Sequence, residues 1–392
     1  MASANSLPSI LFIAAPNEAS KLLQSTYVKG KFNLLYHILE DKDKFMQFLH
    51  DHREDNIAGI YAGYPAFHTI HGLTREIIEH PDFPLDTLKC IAVCSRGYNA
   101  LDLDALEDHG IQLYNYQDDI EEEGISEYID DFQLGEVGND VADCALWHVL
   151  EGFRKFSYQQ KLLRDVGHSI QARQIAANKP HKFAFGHELG MIQAHDGSSV
   201  PLYVESPRGK KVLILGFGSI GKRIAFKLQY GLGMEIHYCK RTKDEQLIRE
   251  HPEWVYHSMD EDLLFPVLKQ FDAIVIALPG TPETKGLINE KFLSHCKEHD
   301  LILVNLGRGF ILDMEYIDEL LKQNKIRHLA VDVFPKEPIV DDLLRESHHN
   351  TTITPHLGSA TRQVFEQSCE LALTNIIKCI NGEEAKNHCR VL

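Results

Sequence analysis

Several things are missing from this chain, and each absence removes a class of function. None of its 8 cysteines, scattered from Cys90 to Cys389, forms a Cys-x-x-Cys pair. Several lie in strand or helix patterns, where free cysteine behaves as a small hydrophobe, which fits a reducing compartment without a disulfide framework. The 22 histidines are equally dispersed, and no Cys/His cluster is read as a metal site. No apolar run approaches the length of a membrane span. The N-terminal run Ile10-Leu-Phe-Ile-Ala-Ala15 is too short for the core of a secretion signal, and no Arg-rich leader accompanies it, so a cytoplasmic location is expected. Positive charge is in deficit, with 40 basic against 57 acidic residues and a net charge of -17. Nucleic acid and anionic membranes are therefore not expected partners, and an anionic ligand needs positive charge gathered locally. Internal repeats and low-complexity tracts are absent as well.

What is present is organised around Lys211–Ala225. Lys211-Val-Leu-Ile-Leu215 reads as a parallel strand buried on both faces. Gly216, Gly218 and Gly221 then form Gly-x-Gly-x-x-Gly, with Ser219 and Ile220 opening the following helix. In a dinucleotide site the first glycine permits the tight turn, and the second admits a pyrophosphate to the backbone. The third lets helix and strand pack closely. A second strand near Glu235–Tyr238 supplies the context that three glycines alone lack.

With 392 residues the chain can hold two or three domains, and the pattern on both sides of this motif alternates strand with helix. Strand-like runs occur at Ile10–Ala15, Phe32–Tyr36, Ile57–Ala62, Leu88–Val93 and Ile111–Asn115. Further runs follow at Ala273–Ala277, Leu301–Asn305, His328–Val333 and Thr351–Thr354. Gln117–Asn139 reads as an acidic surface connection and hinge, and Val141–Leu163 as one long amphipathic helix. Arg164–Pro207 is irregular, and Ala184–Arg208 within it has no assignment. A last helix spans Thr361–Ile380, with Val364, Phe365, Leu371, Ala372 and Ile376 for burial.

Ligands of parallel sheets bind beyond the carboxyl ends of the strands. Two early strand ends, Ala62-Gly63-Tyr-Pro and Cys94-Ser-Arg96-Gly97-Tyr98-Asn, are candidate substrate loops. Four later ends carry polar cargo: Ala277-Leu278-Pro279 running on to Thr284, Val304-Asn305-Leu306-Gly-Arg308, Asp332 to Pro338, and Thr354-Pro-His356-Leu-Gly358. Arg308, Glu337 and His356 are the titratable residues among them that could meet in one cleft. An arginine grips a carboxylate bidentately and polarises an adjacent carbonyl. A histidine can donate the proton that accompanies hydride addition, and a paired carboxylate stabilises its charged form. Plainer alternatives stand beside each: a salt bridge for Arg308, a satisfied structural histidine, and a solvated Glu337. Tyr64, Phe67 and Tyr98 could line a pocket or simply pack.

After the second Rossmann strand the chain reads Tyr238-Cys-Lys240-Arg241-Thr242-Lys243. NAD-selective proteins usually carry an acid there for the ribose hydroxyls, whereas Lys240, Arg241 and Thr242 suit an adenosine 2′-phosphate. The expected cofactor is NADP, with NAD possible; solvated surface charge is the alternative.

These motifs, in this order, resemble the D-isomer-specific 2-hydroxyacid dehydrogenase family, over nearly the whole chain and most strongly over Val212–Thr361. The resemblance implies an α/β protein of two doubly wound parallel-sheet domains, a Rossmann cofactor domain (139–360) inserted into a flavodoxin-like substrate domain (1–138). The C-terminal helix (361–392) would return to the latter. It implies Arg308, Glu337 and His356 as the catalytic set and Asp332 beside the nicotinamide carboxamide. Asn305 would line the nicotinamide, Thr284 would lie beside the cofactor bridge, and the Arg96 loop would hold the substrate carboxylate through backbone amides. The substrate would be a 2-oxo or D-2-hydroxy acid, either glyoxylate or hydroxypyruvate or a larger, branched or aromatic 2-oxo acid, and the assembly a homodimer. The rival reading is a non-catalytic NADP(H) sensor that binds a protein partner.

Overall fold

The computed structural model describes residues 7–119, 133–177, 188–193, 199–346, 350–383 and 389–392. The chain divides into two compact units, Met1–Glu136 with Ala360–Leu392, and Val137–Ser359.

In the first unit five strands form a parallel sheet: β1 (Ser9–Phe12), β2 (Asn33–Tyr36), β3 (Ile57–Ala62), β4 (Cys90–Val93) and β5 (Gln112–Tyr114). Their order is β2-β1-β3-β4-β5, the flavodoxin-like order. Alternation along each strand feeds two cores. Leu11, Ile60, Ile91 and Leu113 face one, and Ile10, Phe12, Tyr61, Ala92 and Tyr114 face the other. The helix Arg362–Asn381 covers the second of these faces, where Leu373, Ile376 and Ile377 complete the core. Of the residues expected to bury it, Phe365 is instead 48% exposed, because it lies on the helix side turned from the sheet.

In the second unit β6 (Glu188–Gln193) and β7 (Ser199–Tyr203) pair as an antiparallel hairpin. The unassigned Ala184–Arg208 segment thus contains a hairpin, while its residues 184–187 and 194–198 lie outside the described residues, as do residues 120–132 of the expected hinge. The large sheet holds β8 (Lys211–Leu215), β9 (Glu235–Cys239), β10 (Val255–His257), β11 (Ala273–Ile276), β12 (Ile302–Asn305), β13 (His328–Val331) and β14 (Thr351–Ile353). All pairs are parallel, in the order β10-β9-β8-β11-β12-β13-β14. Leu213, Ile274, Leu303 and Leu329 point to one core, and Val212, Ile214, Val275, Val304 and Ala330 to the other. Truncating any of the leucines and isoleucines among these to alanine would cost about 2–5 kcal/mol.

The long helix expected from Val141 is two helices, Glu136–Arg154 and Phe156–Val166. Lys155 breaks them with a left-handed φ of 53°. Its side chain is 2% exposed and turns inward to His328, a commitment that helical periodicity cannot display.

Candidate active site

All seven strands of the large sheet run the same way, so the loops after β8, β11, β12, β13 and β14 lie along one edge. At the first of them the three glycines do different things. Gly216 adopts φ +94°, and an added Cβ would stand 2.6 Å from the Ala277 carbonyl oxygen. At Gly221 a Cβ would overlap the Gly216 carbonyl oxygen, so helix and strand touch there. Gly218, exposed, would meet nothing within 4 Å. It is the N-cap of the helix Ser219–Leu232, whose first turn begins with Ser219 and Ile220. Open backbone at a helix N-terminus fits the pyrophosphate of a dinucleotide.

The neighbouring loops are welded by close backbone approaches. A Cβ on Gly307 would stand 2.6 Å from the Leu278 carbonyl oxygen, and one on Gly309 would overlap the backbone of Phe334 and Pro335. Between these glycines lies Arg308, partly buried, its Nη1 donating to the Gly307 carbonyl at 2.8 Å. Burial pulls the guanidinium below its usual pKa, and Glu337 opposes that pull. Asn305, 0% exposed, ties the loop internally: its Nδ2 donates to the Arg308 carbonyl (2.9 Å) and its Oδ1 accepts from the Gly307 amide (3.0 Å). Its amide therefore shapes the arginine loop. Leu306 and Leu278 are half-buried and Pro279 exposed along the same edge.

Glu337 and His356 meet. Glu337 Oε2 lies 2.9 Å from His356 Nδ1, and its Oε1 accepts the Phe334 amide at 2.9 Å. The carboxylate is thereby held in place by the loop that carries it, and it fixes the ring. His356 has a left-handed φ of 52°. Asp332, 4% exposed, brackets it: Oδ1 accepts from the Thr354 hydroxyl (2.6 Å) and the Leu357 amide (2.9 Å), and Oδ2 from the Gly358 amide (2.8 Å). Burial pushes the Asp332 carboxyl up, while Thr354, the two amides and His356 draw it back. Asp332 thus holds the turn that presents the histidine. Thr354 belonged to the stretch singled out in the sequence, but nothing there marked its hydroxyl as the bond to Asp332.

Among the residues expected at the cofactor's far end, Lys240 is engaged with Asp244 at 2.7 Å. That bond, with the Leu247 amide, draws the Asp244 carboxyl down to about 2. Arg241 and Thr242 are exposed. Thr284 closes its own turn, accepting from the Thr281 amide at 2.9 Å and donating to the Pro279 carbonyl at 2.8 Å.

In the first unit, Ala62 and Gly63 are buried at the end of β3, and Tyr98 packs partly against the core. Phe67 is 0% exposed and belongs to that core, whereas Tyr64 is 63% exposed. The Arg96 guanidinium is bonded to Asp118 and to Asp119 (3.0 Å). Burial lowers its pKa, but the two aspartates outweigh this and raise it. Its side chain is a tie between two loops. The Arg96 carbonyl accepts from Asn115 (2.9 Å) and that of Gly97 from the Ser95 hydroxyl (2.8 Å), so the loop is held from both sides.

Residues 190–358 match the profile of the D-isomer specific 2-hydroxyacid dehydrogenase NAD binding domain. Over 380 residues, 97% of this chain and 96% of its relative, the chain is 56% identical to a Saccharomyces cerevisiae protein named for the 2-hydroxyacid dehydrogenases. A glyoxylate reductase of Pyrococcus furiosus is 38% identical over 175 residues, 45% of this chain and 49% of that one. The solved D-mandelate dehydrogenase of Rhodotorula graminis shares the fold with a TM-score of 0.73 over 95% of this chain and 94% of that one, at 24% identity.

Proposed function

Because the chain belongs to the D-isomer-specific 2-hydroxyacid dehydrogenases, oxidoreductases acting on CH–OH donors, we propose that it reduces a small 2-oxo acid at C2 and prefers NADPH. The observation that carries the chemistry is the Glu337–His356 pair at 2.9 Å beside Arg308. When bound, the reduced nicotinamide supplies the hydride. The chain's own residues do the rest. His356 faces Glu337 through Nδ1, so Nε2 holds the proton given to the substrate oxygen. Glu337, fixed by the Phe334 amide, stabilises the imidazolium and keeps the ring from turning. Arg308 takes the substrate carboxylate and orients the carbonyl, so that positioning supplies much of the rate.

Glyoxylate and hydroxypyruvate are the first candidate substrates; the similarity to a glyoxylate reductase over 175 residues supports this choice. The absence of an acid at the end of β9, with Arg241 and Thr242 exposed just beyond, supports NADPH. A homodimer joined through the second unit belongs to the same proposal. What supports it is the helix Phe156–Val166, which buries none of its residues, and the exposure of Leu163, Ile170 and Ile175.

The test is oxidation of NADPH and, separately, NADH with glyoxylate, hydroxypyruvate, pyruvate and 2-oxoisocaproate. Turnover should favour NADPH and fall by about 10²-fold or more in His356→Ala. Arg241→Asp should weaken NADPH far more than NADH, and equal losses would remove the NADPH preference. Tight NADPH binding without turnover of any acid would return the chain to the sensor reading.

A further inference from the structure

Beside the His356 turn runs a chain of buried and half-buried side chains that the proposed chemistry does not use. Lys155 Nζ lies 2.6 Å from His328 Nδ1, and His328 Nε2 lies 3.0 Å from the Thr352 hydroxyl. That hydroxyl is 2.9 Å from His148 Nδ1, and His148 Nε2 is 3.1 Å from the Thr354 hydroxyl. Thr354 reaches Asp332 at 2.6 Å. The two histidines are 0% and 1% exposed. Five hydrogen bonds thus link Lys155, at the break between two helices, to the carboxylate that brackets His356.

Chemistry gives the chain one direction. An ionised carboxylate only accepts, so the Thr354 hydroxyl donates to Asp332. Having one proton, that hydroxyl must accept from His148 Nε2–H. A neutral imidazole that donates at Nε2 accepts at Nδ1, so Thr352 donates there. Thr352 in turn accepts from His328 Nε2–H, and His328 Nδ1 accepts from Lys155. In this arrangement both histidines accept at Nδ1 and carry their proton on Nε2. Burial agrees, lowering His148 to about 4 and Lys155 well below its usual value. The remaining polar groups around the chain have other duties. Glu151 accepts the Ser157 amide (3.1 Å), Arg327 is bonded to Glu205, and Cys144, against Thr354, is held up to about 12 by burial. His356 itself faces Asp332 electrostatically.

We propose that His148 and Thr354 are positioning residues for His356, keeping Asp332 ionised and in register so that it holds the turn that presents the imidazole. This rests on His356 as the proton donor. A non-glycine residue with positive φ is held against a local cost of about 1–2 kcal/mol. Asp332 meets that cost by binding residues on both sides of it, at Thr354, Leu357 and Gly358. Without the Thr354 hydroxyl, Asp332 would take up a proton more readily and both the grip and the negative charge near His356 would weaken.

Two variants of the full chain separate positioning from bulk structure. Thr354→Val keeps the shape and removes the donor; Thr354→Ser keeps the donor. In the valine variant, kcat for the 2-oxo acid should fall about 10- to 100-fold with the KM for reduced cofactor unchanged. Serine should restore kcat. A valine variant matching wild type, or equal losses in both variants, would overturn the proposal. A second readout needs no turnover. By ¹⁵N NMR the His148 ring, assigned by its loss in His148→Gln, should stay neutral with the proton on Nε2 from about pH 6 to about pH 8. A proton on Nδ1, or titration in that range, would overturn it. If the wild-type protein reduces no 2-oxo acid, the proposed chemistry falls and the tautomer alone decides the relay.

Discussion

At the scale of single residues, the three motif glycines make separable predictions. At Gly221 a methyl group would overlap the Gly216 carbonyl oxygen, and nothing there can yield except the packing of helix on strand. Gly221→Ala should destabilise the protein by about 2 kcal/mol or more. At Gly218 a methyl group meets nothing within 4 Å, and the residue is exposed. Gly218→Ala should leave stability within about 0.5 kcal/mol of wild type, yet weaken the dinucleotide, because the methyl group stands where the pyrophosphate approaches. Thermal melts with and without NADPH measure both effects; stabilisation by NADPH unchanged in Gly218→Ala would refute this division of roles. Arg96 makes the opposite point. Its partner Asp118 is 0% exposed, so Arg96→Gln should cost about 3 kcal/mol by leaving a buried charge half-paired. Full stability together with a raised KM for the 2-oxo acid would instead assign the side chain to substrate. The sequence carried the types and order of Arg308, Glu337 and His356, because strand ends are readable and glycines mark close approach. It could not carry the bonds of Arg96 to Asp118 or of His148 to Thr354, which join residues 22 and 206 positions apart.

Secondary-structure elements were legible where burial is two-sided. Ile57–Ala62 is a strand over its whole expected length, all six residues buried, and β11, β12 and β13 fall within the runs read from the sequence. The edge strand β10 was not legible: three partly exposed residues, Val255 to His257, offer no pattern to distinguish them from a loop. Nor was the break at Lys155, since a buried lysine looks like a solvated one in a periodic helix. The C-terminal helix and the sheet of the first unit provide an element-scale test. A Cβ on Gly59 in β3 would lie 2.5 Å from Ile376 Cγ2, so the helix is seated where the strand has no side chain. Gly59→Ala should cost about 1–3 kcal/mol and Ile376→Ala about 2–5 kcal/mol. The double variant should be more stable than the sum predicts, because each change makes room for the other. Strict additivity in chemical denaturation would show that helix and strand do not meet at this point.

For the whole molecule the question is how stability follows pH in a chain of net charge -17 and pI about 5.7. Acidification toward the pI relieves repulsion among acidic residues, an effect spread over the surface and screened by physiological salt. Against it stand histidines buried as neutral groups. Burial holds His148 at about 4 and, with His257 and Lys211 nearby, His237 at about 4; burial also lowers His257. All three lie in the second unit. Each binds a proton more readily unfolded, near the ordinary value of 6.5, than folded. Their stabilising contribution is therefore complete above about pH 6.5 and is lost as the pH falls toward about 4. His148 alone, 0% exposed, accounts for about 1 kcal/mol lost at the pI and about 2 kcal/mol at about pH 5. A local term of this size outweighs a screened surface relief, so the unfolding transition of the second unit should be higher at about pH 7 than at the pI. His148→Gln, which keeps a donor and an acceptor in place but cannot be protonated, should flatten that slope even as it lowers the plateau. A melting temperature that peaks at the pI, or a slope unaltered in His148→Gln, would mean that surface charge rather than the buried imidazoles governs the acid limit of this fold.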